Sequence, residues 1–186
     1  MARVKHYTCL KITRWTTPCL LAVALLGTGC SGVQVGAPFL APVPFKEQPV
    51  VLPPYPAAAA FLPVPVRSVG TGFGYALDPG SVSRGTDGVM RYIVALTSAS
   101  GVRNVFYEGL RCDTAQYRTY AFGSSTGRFR RIGHSRWRSV TRDGTGAYRW
   151  VLYREYLCDS YGLPRNPDAV RQRLRYPGSA SVSDVP

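Results

Sequence analysis

Apolar and polar positions along this chain follow different rules in different stretches. The first thirty residues carry Arg3, Lys5, Lys11 and Arg14, no acidic residue, and an unbroken apolar run from Cys19 to Leu26. Such a run is too short for a membrane-spanning helix, which needs roughly 20 residues. From Val33 to Ser68 no period survives, because "PFLAPVPFKEQPVVLPPYPAAAAFLPVPV" holds nine of the fifteen prolines. Each proline fixes its own φ, lacks an amide donor and biases the residue before it toward extended geometry, so neither a helix nor a central strand is expected there. A period of two then takes over. "VMRYIVALTS" sets Met90, Tyr92, Val94 and Leu96 on one face and Arg91, Ile93, Ala95 and Thr97 on the other, the pattern of a half-buried strand. Turn residues flank it in "TDGV" and "SASGVRN". "NVFYEGLRC" and "QYRTYAFG" follow, rich in the aromatic and β-branched residues that strands favour. Short strands joined by tight turns predict an antiparallel sheet.

Toward the C-terminus the period lengthens. "AYRWVLYREYLC" contains no breaker and sets Ala147, Val151, Arg154 and Cys158 along one helical stripe; its aromatics suit a strand as well, but a helix is the expectation. In "RNPDAVRQRLR" Asn166 caps, Pro167 takes the first helical position and Asp168 suits the positive end of the helix. That helix stops near Pro177. The expected fold class is therefore α+β, a small antiparallel sheet packed with one or two C-terminal helices over residues 71–176. Residues 177–186 read as a disordered tail.

The basic start, the short apolar run and the small residues Gly27, Thr28 and Gly29 read as an export signal over residues 1–29. With Cys30 they resemble the lipobox of bacterial lipoproteins, in which the signal is cut before the cysteine and its sulfur and new amino group are acylated. The resemblance departs at Gly27, which stands three places before the cysteine where leucine is commonest; Leu26 lies one place further back. It implies lipidation of Cys30, ordinary cleavage nearby being the alternative. Acyl chains contribute roughly 0.8 kcal/mol per buried methylene, so three of them hold a protein on a bilayer without a spanning helix. Ser31 stands where an aspartate would imply inner-membrane retention, so the expected address is the outer membrane, with the domain facing the periplasm or the surface. Residues 30–70 then read as a lipidated cysteine and a semi-rigid tether, whose proline-rich part from Val33 to Ser68 spans up to about 110 Å at roughly 3.1 Å per residue. Packing of its Val, Leu, Phe and Ala residues along the domain is an open alternative, as is a role as ligand for a proline-recognising groove.

Of five cysteines, Cys9 and Cys19 leave with the signal and Cys30 is consumed by lipid, leaving Cys112 and Cys158. In an oxidising compartment an even remainder suggests one disulfide, with two unrelated buried thiols as the alternative. These cysteines and His134 make no recognisable metal-ligand set, and no cofactor is expected. The charge narrows the partners. Without the leader's four basic residues, nineteen basic face ten acidic, and all of the nineteen but Lys46 are arginine. The densest run, "GRFRRIGHSRWRSVTR", holds Arg128, Arg130, Arg131, Arg136, Arg138 and Arg142 with no acid before Asp143. Guanidinium groups suit phosphate and carboxylate, and Trp137 and Phe129 offer stacking. Arg128, Arg130, Arg131, Arg136 and Arg138 are thus candidate anion-binding residues for lipid headgroups, lipopolysaccharide, peptidoglycan or an acidic protein; a solvated loop is the plainer reading. Nucleic acid fits the charge but not the export signal.

Catalytic readings are weaker. General acid-base chemistry needs groups poised near one another. Among the carboxylates, Glu108 and Glu155 fall inside apolar elements, where burial raises a carboxylate pKa unless an arginine partners it. Arg111 or Arg154 is the expected partner, and a structural ion pair the expected role. His134 beside Ser135 reads as a surface histidine, and no enzyme is expected.

The stretches "GVMRYIVALTSASGVRNVFYEGLRCDTAQYRTYAFG", "SRWRSV" and "LYREYLCDSYGLP" resemble the cryptic neisserial protein one-like family, a domain of bacterial envelope proteins. The most specific pieces are "YEGLRC", with Tyr107, Glu108, Gly109, Arg111 and Cys112, the Trp137-Arg138 pair, and "YREYLC", with Tyr153, Arg154, Tyr156 and Cys158. Phe129 stands where the family usually shows tryptophan, and "TRDGTGAYRW" departs further. The resemblance implies the fold and brings no activity with it. The functional expectation is a non-catalytic envelope lipoprotein that binds another envelope component, with a surface-exposed adhesin-like module as the alternative.

Overall fold

The computed structural model describes residues 44–66 and 72–177. The leader, Cys30, the first part of the expected tether and the expected tail from residue 178 lie outside the described residues. Among the described residues seven strands form one antiparallel sheet: β1 (Leu62–Pro63), β2 (Phe73–Arg84), β3 (Met90–Ser98), β4 (Arg103–Arg111), β5 (Gln116–Gly123), β6 (Phe129–Arg131) and β7 (Arg138–Ser139). Strands β1 to β6 are neighbours in chain order, and β7 pairs with the start of β5. Helix α1 (Ala147–Val151) runs on into a π-helical turn, Leu152–Leu157, and α2 (Pro167–Arg175) follows. The α+β expectation holds.

The alternation read in β3 is real, and both of its faces are buried. Met90, Tyr92 and Val94 join Tyr75, Leu77 and Leu110 beneath Tyr148, Leu152, Leu157, Val170 and Leu174 of the helical layer. Ile93 and Ala95 join Val105, Tyr107, Tyr120 and Ala121 on the opposite face. Fully burying side chains such as Leu77, Ile93 or Leu110 stabilises by about 1.5–3 kcal/mol each. Turns at Gly88 and Gly101, with φ of 75° and 83°, close the two hairpins around β3.

What covers the second face is the described part of residues 30–70, which follows the alternative of packing along the domain rather than that of a free tether. From residue 44 the proline-rich segment is a strap across the sheet, laying Val50, Leu52, Tyr55 and Phe61 over Ile93, Val105 and Tyr107. Proline density forbids a hydrogen-bond ladder but leaves apolar side chains free to cover an apolar face. Polar contacts fix the strap at its start: Glu47 accepts from Arg118 Nη1 and Tyr120 Oη at 2.6 Å each, and the Gln48 amide donates to Asp87 Oδ2 at 2.9 Å. At its end β1 pairs with β2, and the Val64 amide donates to the Tyr75 carbonyl at 2.8 Å. Pro63 is tolerated because β1 is an edge strand.

Strand β2 carries no clean sequence signal because Pro79 and Gly80 interrupt it. They sit in a register shift between Asp78 and Ser83, beyond the reach of β1. The helical expectation for "AYRWVLYREYLC" is met, with Ala147 and Cys158 of its stripe buried and Val151 packed against the core, and Arg154 the one member that departs. Ala147, Tyr148, Leu152, Tyr156 and Leu157 are buried, while Arg154 is exposed. The last turn widens so that the Cys158 amide donates to the Tyr153 carbonyl at 3.2 Å, five residues back. Asn166 caps α2 as expected, its side chain accepting from the Asp168 amide at 2.8 Å. Cys112 and Cys158 form a disulfide, with Cα atoms 5.6 Å apart, that joins the end of β4 to the end of the π-helical turn.

Candidate functional site

Strand alternation assigns each residue of "YEGLRC" a task. Tyr107 faces the strap, and Glu108 and Leu110 face the helices. Gly109 leaves room for the Tyr120 ring, into which any Cβ would run. The Arg111 guanidinium lies 3.7 Å from the Phe45 ring centre, and Cys112 carries the disulfide.

Glu108 is fully buried. Its register partners on β3 and β5 are Tyr92 and Thr119, and their hydroxyls donate to it at 3.1 and 2.9 Å. From α1, Tyr148 Oη lies 3.1 Å from both carboxylate oxygens. Arg149 adds Nε at 3.0 Å and Nη2 at 2.5 Å. A carboxylate without exposure needs both a cation and enough donors to offset its desolvation, and this one has both. Burial, and then the negative charge of Glu108, push the Tyr92 and Tyr148 phenols well above their ordinary pKa. Burial works against the charge on Arg149, but the neighbouring carboxylate outweighs it and raises the guanidinium pKa.

Neither expected partner of Glu108 takes that role. Arg111 is three places along the strand, hence on the opposite face, and pairs with Asp113 at 2.7 Å. Arg154 is exposed, 5.8 Å from the Trp150 ring centre. Glu155, expected inside an apolar element, is exposed as well, because the buried stripe of the helix passes one residue to its side.

Arg149, with Glu108 buried behind it, lines a groove of about 820 Å³ on the helix side of the sheet. Its floor is Phe106, Tyr117 and Thr119 where the helices leave β4 and β5 uncovered, and the segment 132–146 walls it. Among the sequence candidates, Arg136 and Arg138 line this groove together with His134. The remaining arginines are dispersed. Arg130 and Arg131 stand opposite Phe122 and Ala121, so successive residues of β6 go to opposite faces. Arg131 donates to the Val50 carbonyl at 2.8 Å and borders a smaller cleft of about 350 Å³ beside Glu47 and Arg118. Arg128 lies exposed in the β5–β6 turn. The aromatics of the run are occupied: Phe129 packs on Tyr55 and Tyr107, and Trp137 meets Phe45 edge-on at 5.9 Å.

Arg149 was the residue missed by sequence reasoning. Its signal lay in the helix, one position after Tyr148 on the face turned toward β4, rather than in the basic run. Among the described residues no group of three or more His, Cys, Asp or Glu is placed to hold a metal, and no helix is long and apolar enough to cross a membrane. The sequence model of the CNP1-like family matches residues 41–175, a span that takes in the strap from its start as well as the sheet and both helices. No curated protein and no solved structure matches the chain. The motifs quoted from the sequence, the fold they build and the match over most of the chain agree, and the chain belongs to the CNP1-like family.

Proposed function

We propose that this chain is a non-catalytic envelope lipoprotein, held on the outer membrane through acylated Cys30, whose domain faces the periplasm and binds an anionic envelope component in the basic groove. The observation that carries the reading is the convergence of Arg136, Arg138, Arg149 and His134 around one groove, from two separate parts of the chain. Guanidinium groups so placed suit phosphate and carboxylate. The anchor is supported by the leader pattern that ends on Cys30. With the strap packed from residue 44, residues 31–43 are the chain left as spacer, and at roughly 3.3–3.6 Å per residue they reach at most about 45 Å. The non-catalytic part is supported by Glu108, whose carboxylate is wholly engaged by Tyr92, Thr119, Tyr148 and Arg149.

Two measurements test the reading. Metabolic labelling with a radioactive fatty acid should mark the wild type and leave Cys30→Ala unmarked. Envelope fractions incubated with wild type and with Arg136→Ala/Arg138→Ala should release most of the double variant at a salt concentration that retains the wild type, with unchanged melting temperature. Equal retention would remove the groove from the function.

A further inference from the structure

The groove holds one donor that is fixed before any ligand arrives. Glu108 occupies Nε and Nη2 of Arg149, and the Tyr117 and Tyr148 ring centres lie 3.9 and 4.5 Å from its guanidinium carbon. Nη1 is left without an acceptor among the described residues. It lies beside Gly146, where a Cβ would stand 3.5 Å from it. Held along one edge by a carboxylate and against two rings, the guanidinium loses little freedom when a ligand binds.

The rest of the lining decides what kind of ligand fits. Arg149 is already paired with Glu108, and Asp143 lines the groove with Arg136 and Arg138, so the formal charges leave one net positive charge there. A nucleic acid or other dense polyanion is bound by many uncompensated cations, which this surface lacks. A single inorganic ion would leave most of the 820 Å³ empty. Hydroxyls of Tyr117, Thr141 and Thr145 and the apolar surfaces of Phe106 and Ile132 line the remainder, a mixture suited to the hydroxyls and C–H faces of sugars. Resting on the reading of the groove as the binding site, we infer that its ligand is an acidic glycan: a sugar chain with one carboxylate or phosphate on Arg149 Nη1 and neighbouring sugars along Tyr117, Thr141 and Thr145.

The test is calorimetric titration of the exported chain with three tetrasaccharides that differ in one sugar, bearing a carboxylate, a phosphate or neither, and separately with anionic phospholipid vesicles. An acidic tetrasaccharide should bind about tenfold or more tighter than the neutral one, the gain of a charge-assisted hydrogen bond, and which acid wins identifies the group. Gly146→Gln, at a position with ordinary right-handed backbone (φ −85°, ψ −8°), places a side chain over Nη1 while leaving the ion pair with Glu108 in place. It should abolish that tenfold preference with an unchanged melting temperature. Equal affinity for acidic and neutral sugars, or an unchanged preference in Gly146→Gln, overturns the inference. If all sugars fail while vesicles bind and Arg136→Ala/Arg138→Ala abolishes it, the glycan assignment falls and the basic groove stands. If neither sugars nor vesicles bind, the glycan assignment falls, and retention on envelope fractions decides whether the groove stands.

Discussion

Arg149→Ala removes the cation from a carboxylate with no exposure. Breaking a buried pair from one side costs about 3–5 kcal/mol, so the urea midpoint of this variant should fall by that equivalent. Glu108→Met combined with Arg149→Met removes both charges but takes the acceptor from the Tyr92, Thr119 and Tyr148 hydroxyls, and should recover part of the loss. Arg154→Ala, on an exposed side chain, should stay within about 0.5 kcal/mol of wild type. A second residue sets the acid limit. Burial acts to raise the Asp87 pKa, but hydrogen bonds from Arg91 and from the Gln48 and Val89 amides outweigh it and bring it down from 3.8 to about 2. A carboxyl whose pKa is depressed by folding stabilises the fold above its unfolded value. That stabilisation is fully present above about pH 4 and is lost as pH falls through 2. Denaturant titrations between pH 5 and pH 2 should therefore show a steeper decline for wild type than for Asp87→Asn.

Among the elements, those with an uninterrupted local pattern were legible in the sequence. Strands β3, β4 and β5 show period two or dense aromatic and β-branched composition, and α2 carries its own cap in Asn166 and Pro167. The strap was not legible as a lid, because nothing local distinguishes apolar residues that cover a sheet from apolar residues in a spacer; the difference is made by Ile93, Val105 and Tyr107, far away in sequence. Leu52→Ala and Tyr55→Ala should each destabilise the domain by about 1–3 kcal/mol and increase binding of a hydrophobic dye. A free tether would show neither effect. The site was half legible for a related reason. The basic run located Arg136 and Arg138, but β6 sends Arg130 and Arg131 to opposite faces, and the decisive Arg149 comes from the helix, beside the stripe the sequence marked rather than on it.

At the scale of the whole molecule, one covalent link ties the sheet to the helical layer. Cys112 and Cys158 are 46 residues apart, and closing a loop of that length contributes about 3–4 kcal/mol by the chain-entropy estimate. Cys112→Ala/Cys158→Ala should lower stability by that amount, and reductant should shift the wild type's melting temperature while leaving the double variant's in place. The link lies on the helix side, whereas the strap on the other side is held by side-chain contacts and a two-residue edge strand. That asymmetry has a mechanical meaning under the proposed anchoring of the chain through Cys30. Tension enters at Phe45 and Glu47 and meets the strap's contacts one after another, the geometry of peeling rather than shearing. The strap should therefore yield at a lower force than the sheet and lengthen the spacer by the residues it releases, while the loop between the cysteines stays closed. The covering of one face would then serve as a stretch of extra line, paid out under load and rewound when the load is gone.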